Sequence, residues 1–189
     1  NRVFKYSAML AVPASFGLPV ISKEVVLTVY GPEYLPAVPV FWILSFLILR
    51  SAVGFWGVIF NAKEMPEYPV KVAFAGMILN VVLNYLLIPE FGIVGAATAT
   101  MMSNAVVWSV LAYLSKIHFD VFFTPSHLLK PIAASLVMVA FLSMFSPRSI
   151  LDGVLMVFTG AMVYFVVLYA IRGVRRGDVE FLLEILKNK

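Results

Sequence analysis

The chain has 189 residues, 62% of them hydrophobic and only 13% charged, with a mean hydropathy of +0.97. A water-soluble fold of this size cannot hide so much apolar surface, and soluble domains carry about 25% charged residues, so a soluble enzyme, a nucleic-acid-binding module and a disordered tail are excluded. A net charge of +4, no cysteine, and long apolar runs without strand-like alternation leave an all-α polytopic membrane protein without disulfides or thiol chemistry.

A membrane-crossing helix needs about 20 mostly apolar residues. In chain order the candidates are Phe4–Ile21, Val38–Phe60, Val70–Ile88, Ile93–Leu114, Pro131–Phe145 and Ile150–Ile171. The first contains Pro13, Gly17 and Pro19, a pattern found in bent or substrate-lining transporter helices. Ser22 to Tyr30 reads as a separate interfacial helix, with Ser22 as its N-cap and Glu24 in its first turn. Tyr30-Gly31-Pro32-Glu33-Tyr34 then breaks the chain before the second span. The turn Pro89-Glu90-Phe91-Gly92 is so short that spans three and four are expected to be antiparallel neighbours. The organisation expected is a four-helix part over 1–115, a cytoplasmic loop over 116–130, two further spans over 131–171, and a basic tail over 172–189. In that tail Asp178 caps an amphipathic helix, either lying on the inner membrane face or packed on a cytoplasmic partner. The chain starts at Asn1 rather than methionine and reads as a piece of a longer protein.

Charge sets the orientation. With the N-terminus inside, eleven Lys and Arg fall on the inner side and only Lys23 and Arg148 on the outer. That asymmetry is expected to put both ends of the segment in the cytoplasm, with the plasma membrane as the expected location, and it assigns nearly every basic residue to topology. Arg50 is the exception. It is thirteenth in the 23-residue span Val38–Phe60, where an arginine costs about 2.5–3.5 kcal/mol on insertion scales. All ten acids read as loop, tail or span-end residues, so Arg50 needs water, an anion or an acid elsewhere in the whole protein. Counted along one helix, Arg50, Gly54, Gly57 and Asn61 form a small, polar and cationic stripe suited to lining a chamber for a bulky anion.

Asn80 and Asn84 share a face of the third span, and Asn104 lies in the fourth. They are expected to hydrogen-bond between helices or to line the cavity. Gly92, Ala96, Thr100 and Asn104, with Gly95, Ala99 and Ser103, make two small-residue rows for close helix packing. No catalytic residue and no metal ligand set stands out. His118 and His127 share a loop without ligand spacing, and the one ionisable group at depth cannot titrate.

The run Asn80-Val-Val-Leu-Asn84-Tyr-Leu-Leu-Ile-Pro89-Glu90-Phe91-Gly92-Ile-Val-Gly95-Ala96-Ala97-Thr98-Ala99-Thr100 resembles the signature of polysaccharide-biosynthesis flippases. These belong to the multidrug/oligosaccharidyl-lipid/polysaccharide exporter superfamily. Gly31-Pro-Glu-Tyr34-Leu-Pro-Ala37 is similar to that family's Phe-Gly-x-x-Tyr-x-x-Ala turn, with Tyr30 in place of the Phe. The likeness is specific from Phe4 to Leu114 and looser beyond Lys116. It implies six transmembrane helices forming the C-terminal lobe of a two-lobed transporter. It further implies export of a polyprenyl-(pyro)phosphate-linked glycan by alternating access through a cationic cavity, with Arg50 as the phosphate-binding cation. The implied partners are membrane lipid and an N-terminal lobe of the same protein, with no nucleic acid and no cofactor. Two alternatives stand beside this reading. One is a cation-coupled multidrug exporter of the same superfamily, which calls for an acid inside the membrane. The other is a non-transporting membrane component of glycan assembly.

Overall fold

The computed structural model describes residues 2–50, 55–120, 126–145 and 150–173, and every regular element among them is helical. The chain is an all-α membrane protein. Helix α1 (Arg2–Val29) is followed by a 3₁₀ turn (Pro32–Ala37), α2 (Val38–Ser45), a second 3₁₀ turn (Phe46–Ile48), α3 (Trp56–Ala62), the long α4 (Glu67–Phe119), α5 (Ser126–Leu142) and α6 (Ile150–Ala170). Among the described residues three stretches are long and apolar enough to cross a membrane, Phe4–Val29, Glu67–Phe119 and Leu151–Ala170. Pro32–Ile48 and Leu128–Leu142 are shorter apolar helices.

α1 is the hub, packing against α5, α2 and α6. Its two prolines explain part of that packing. A proline has no N–H, so it leaves the carbonyl four residues back without its helical partner, and hydrocarbon offers no water in exchange. Pro13 frees the carbonyl of Met9, and the Tyr164 hydroxyl of α6 donates to it at 2.9 Å. Pro19 frees the carbonyl of Ser15, and the Ser45 hydroxyl at the end of α2 donates to it at 3.2 Å. Tyr164 is fully buried among Met9, Ala134, Met138, Leu142, Met156 and Leu168, which hold α1, α5 and α6 together.

The structure redraws two expected elements. Ser22 to Val29 is not a separate interfacial helix, because α1 runs through it unbroken. Ser22 is buried rather than capping. Its hydroxyl donates to the Pro19 carbonyl at 2.7 Å and accepts the Trp42 indole N–H at 2.7 Å. Glu24 thereby lies within α1, five residues before its end at Val29, with its Oε2 shut from solvent and without a hydrogen-bond partner. The span expected over Val38–Phe60 is segmented. Ser45 also donates back to the Trp42 carbonyl at 2.7 Å, a competing local bond that accompanies the tightening into 3₁₀ geometry over Phe46–Ile48.

α4 would be a rod of about 80 Å if straight, far more than a bilayer core needs. Gly92, at φ 54° and ψ −131°, folds it into two antiparallel arms, 67–91 and 93–119. Asn80 reaches Ser103 across the arms at 3.2 Å, and at the open end Tyr68 Oη meets His118 Nε2 at 3.1 Å. Near the turn the buried residues of the second arm are small, Gly95, Ala97, Ala99 and Ser103, so the backbones come close. Large apolar side chains such as Phe74, Val81, Tyr85 and Phe91 point outward from the first arm, as a lipid solvent permits. Helix occupies 116–119 and 126–130 of the segment expected as a loop, which places His118 on α4. Residues 174–189, with the expected amphipathic tail and Asp178, lie outside the described residues.

Candidate functional site

The sequence singles out Arg50, and the structure places it against the α4 hairpin. An open groove of about 310 Å³ is lined by Arg50, Asn80, Thr100, Asn104, Met77 and Trp108, with Ala73, Gly76, Ser103 and Val107 completing it. Each arm contributes through its own periodicity. Residues 73, 77 and 80 lie on one face of the first arm, and 100, 104 and 108 follow at four-residue steps on the second. The second 3₁₀ turn, Phe46–Ile48, leads into Arg50 and packs on this hairpin.

The electrostatics of the groove are one-sided. Arg50 is exposed in it, and no carboxylate lies within ion-pair distance of it among the described residues. The other polar groups are amides and hydroxyls, several already engaged. Asn84 Nδ2 donates to Asn80 Oδ1 at 2.9 Å, and Asn80 Nδ2 donates to Ser103 Oγ at 3.2 Å. Asn104 Nδ2 donates to the Thr100 carbonyl at 2.8 Å, and the Thr100 hydroxyl to the Ala96 carbonyl at 2.9 Å. This chain fixes the amides in place before any ligand arrives. Asn84 Oδ1, in contrast, is buried with no hydrogen-bond partner. A guanidinium beside held polar groups, with no carboxylate in ion-pair distance among the described residues, has the donors that an anion would need.

The candidate residues fall into two sets. Arg50, Asn80 and Asn104 line one groove, and Asn84 extends its amide chain. Gly57 and Asn61 are elsewhere. They belong to α3, which packs on α4 through Trp56, Phe60 and Leu111, and neither lines the Arg50 groove. Gly54 lies outside the described residues. Helical counting from Arg50 to Asn61 assumed one straight helix, and that count runs through 51–54, which lie outside the described residues. Thr100 and Trp108, which sequence reasoning did not assign to a site, line the groove. Thr100 stood in a small-residue row with Asn104, and that four-residue spacing was the available signal.

Fold and groove define a multi-pass membrane protein with a cation-bearing, amide-lined recess, an arrangement suited to a transporter of the exporter superfamily that the signature run resembles. Residues 1–170 match the family described as Lipid II flippase MurJ, and the chain belongs to that family. The family is one of flippases, which are transporters rather than enzymes. Among similar proteins, the probable low-salt glycan biosynthesis flippase Agl15 of Haloferax volcanii is 40% identical over 101 residues, 53% of this chain and 21% of the relative. An uncharacterized membrane protein of Methanocaldococcus jannaschii is 32% identical over 111 residues, 57% of this chain and 22% of the relative. The probable flippase AglR of Haloferax volcanii is 28% identical over 116 residues, 59% of this chain and 24% of the relative. The matched part of the chain thus spans less than a quarter of the length of these relatives.

Proposed function

We propose that the chain is the C-terminal lobe of a flippase that moves a lipid-linked oligosaccharide or polysaccharide precursor across the plasma membrane. The passenger's phosphate or pyrophosphate binds at Arg50, and the amides of Asn80 and Asn104 accept or donate to its polar neighbours. An N-terminal lobe closes the groove into a cationic cavity, and the two lobes alternate access between leaflets. Both ends of this segment lie in the cytoplasm, as the distribution of Lys and Arg requires. The observation that carries this reading is an arginine in an open, amide-lined recess of an apolar helical protein, with no ion-pair partner among the described residues. Such a cation is expensive to keep unless an anion visits it.

The test uses the full-length protein in proteoliposomes with a polyprenyl-diphosphate glycan, measuring the fraction exposed on the far leaflet. Arg50→Gln slows flipping by about ten- to a hundredfold, the worth of a charge-assisted hydrogen bond. Arg50→Lys retains part of the rate, because charge survives while the bidentate fork is lost. An Arg50→Gln protein that flips at the unaltered rate overturns the reading.

A second reading, a cation-coupled exporter, draws on Glu24. It supplies the acid within an apolar helix that such coupling calls for, and its Oε2 is buried without a partner. Under that reading Glu24→Gln abolishes the dependence of transport on an imposed ion gradient. Under the first reading that dependence is unchanged.

A further inference from the structure

A second groove runs along the opposite face of the same hairpin. It has a volume of about 360 Å³ and is lined by Lys71, Val72, Ala75, Leu79, Val106 and Val110, with Gly76 and Val107 at its floor. Gly76 and Val107 also border the Arg50 groove, so the two recesses lie back to back on either side of one seam. The seam is tight. A Cβ on Gly76 would collide with Val107 Cγ2, so no chain passes between the arms there.

The two recesses differ in chemistry. Arg50's groove is amide-rich, whereas the second is aliphatic along its length and carries one cation, at one end. Lys71 is exposed, close to the start of the first arm, and no carboxylate lies within ion-pair distance of it among the described residues. Leu79 lies eight residues, about 12 Å, further along the arm. The lining therefore pairs a hydrocarbon trough with a positive head position where the span begins, and a lysine stem can snorkel to that position. The contact of Gly76 with Val107 closes the direct way between the two recesses at that point of the seam.

We propose that this groove is a site for a resident anionic glycerophospholipid, with an acyl chain against Val72, Ala75, Leu79, Val106 and Val110 and the phosphate at Lys71. The site is independent of the passenger and of Arg50. It takes a negatively charged headgroup in preference to a zwitterionic one, because Lys71 is the polar contact that the groove offers.

The experiment uses full-length protein in nanodiscs carrying trace photoactivatable phosphatidylglycerol or photoactivatable phosphatidylcholine, with cross-linked peptides mapped by mass spectrometry. Label is expected on 71–79 and 106–110, with phosphatidylglycerol favoured about fivefold, the contribution of a single basic residue near a membrane surface. Lys71→Gln removes that preference and Lys71→Arg keeps it. Val106→Trp fills the trough and lowers labelling by both lipids, and Arg50→Gln leaves labelling unchanged. Equal labelling by the two lipids overturns the proposal. So does a preference that survives Lys71→Gln, or a groove that takes no label because a protein element covers it.

Discussion

The α1 bundle and the α4 hairpin use polar side chains in opposite ways, and the difference separates structure from binding. In the bundle, Tyr164 and Ser45 each give a hydroxyl to a carbonyl that a proline has stranded. Those bonds are internal, buried and committed, and they allow a proline-containing helix to persist where water is absent. In the hairpin, Asn80, Asn84 and Asn104 are held by local bonds, but they border an open recess whose cation has no acid beside it among the described residues. A buried polar group with a permanent partner builds the fold, and one with an open side and a held position is available to a ligand.

That contrast can be broken or sharpened in four ways. The largest effect belongs to the recess, where Arg50→Gln lowers flipping ten- to a hundredfold while thermal unfolding of the purified protein barely moves. If stability collapses along with transport, Arg50 belongs with the structural set. Next is Gly76→Leu, which drives a side chain into Val107 at the seam. Overpacking of this kind costs about 1–3 kcal/mol, read as a lower unfolding temperature, and Val107→Ala in the same chain recovers part of it.

Tyr164→Phe follows, at about 1 kcal/mol, because it strands the Met9 carbonyl. A double-mutant cycle gives a sharper answer. Pro13→Ala returns an N–H to the helix at the right position, so the cost of Tyr164→Phe should fall towards zero in that background. An unchanged cost would show that the tyrosine acts through packing alone. The smallest effect is Ser45→Ala, about half a kcal/mol, because its one proton is shared between the Ser15 and Trp42 carbonyls. Pro19→Ala should absorb part of that loss in the same manner.

Composition, hydropathy and the uneven distribution of Lys and Arg identified an all-α membrane protein, because a bilayer imposes its solvent requirement on each segment separately. The Pro89–Gly92 signal made the hairpin legible for the same local reason, although the structure narrows the break to Gly92 alone. The sequence also exposed Arg50, since a cation at depth is costly in any fold. Tertiary structure decided what surrounds it. Asn80, Thr100 and Asn104 lie 30 to 54 positions away in the chain and meet Arg50 only because the hairpin folds at Gly92 and the 3₁₀ turn presses against it. Gly57 and Asn61, nearer in sequence, lie on α3 and do not border the groove, which a steady 3.6-residue count does not foresee. The hydroxyls that cap the Met9 and Ser15 carbonyls were likewise hidden from the sequence. A proline announces which carbonyl it strands, but the partner comes from whichever helix packs there.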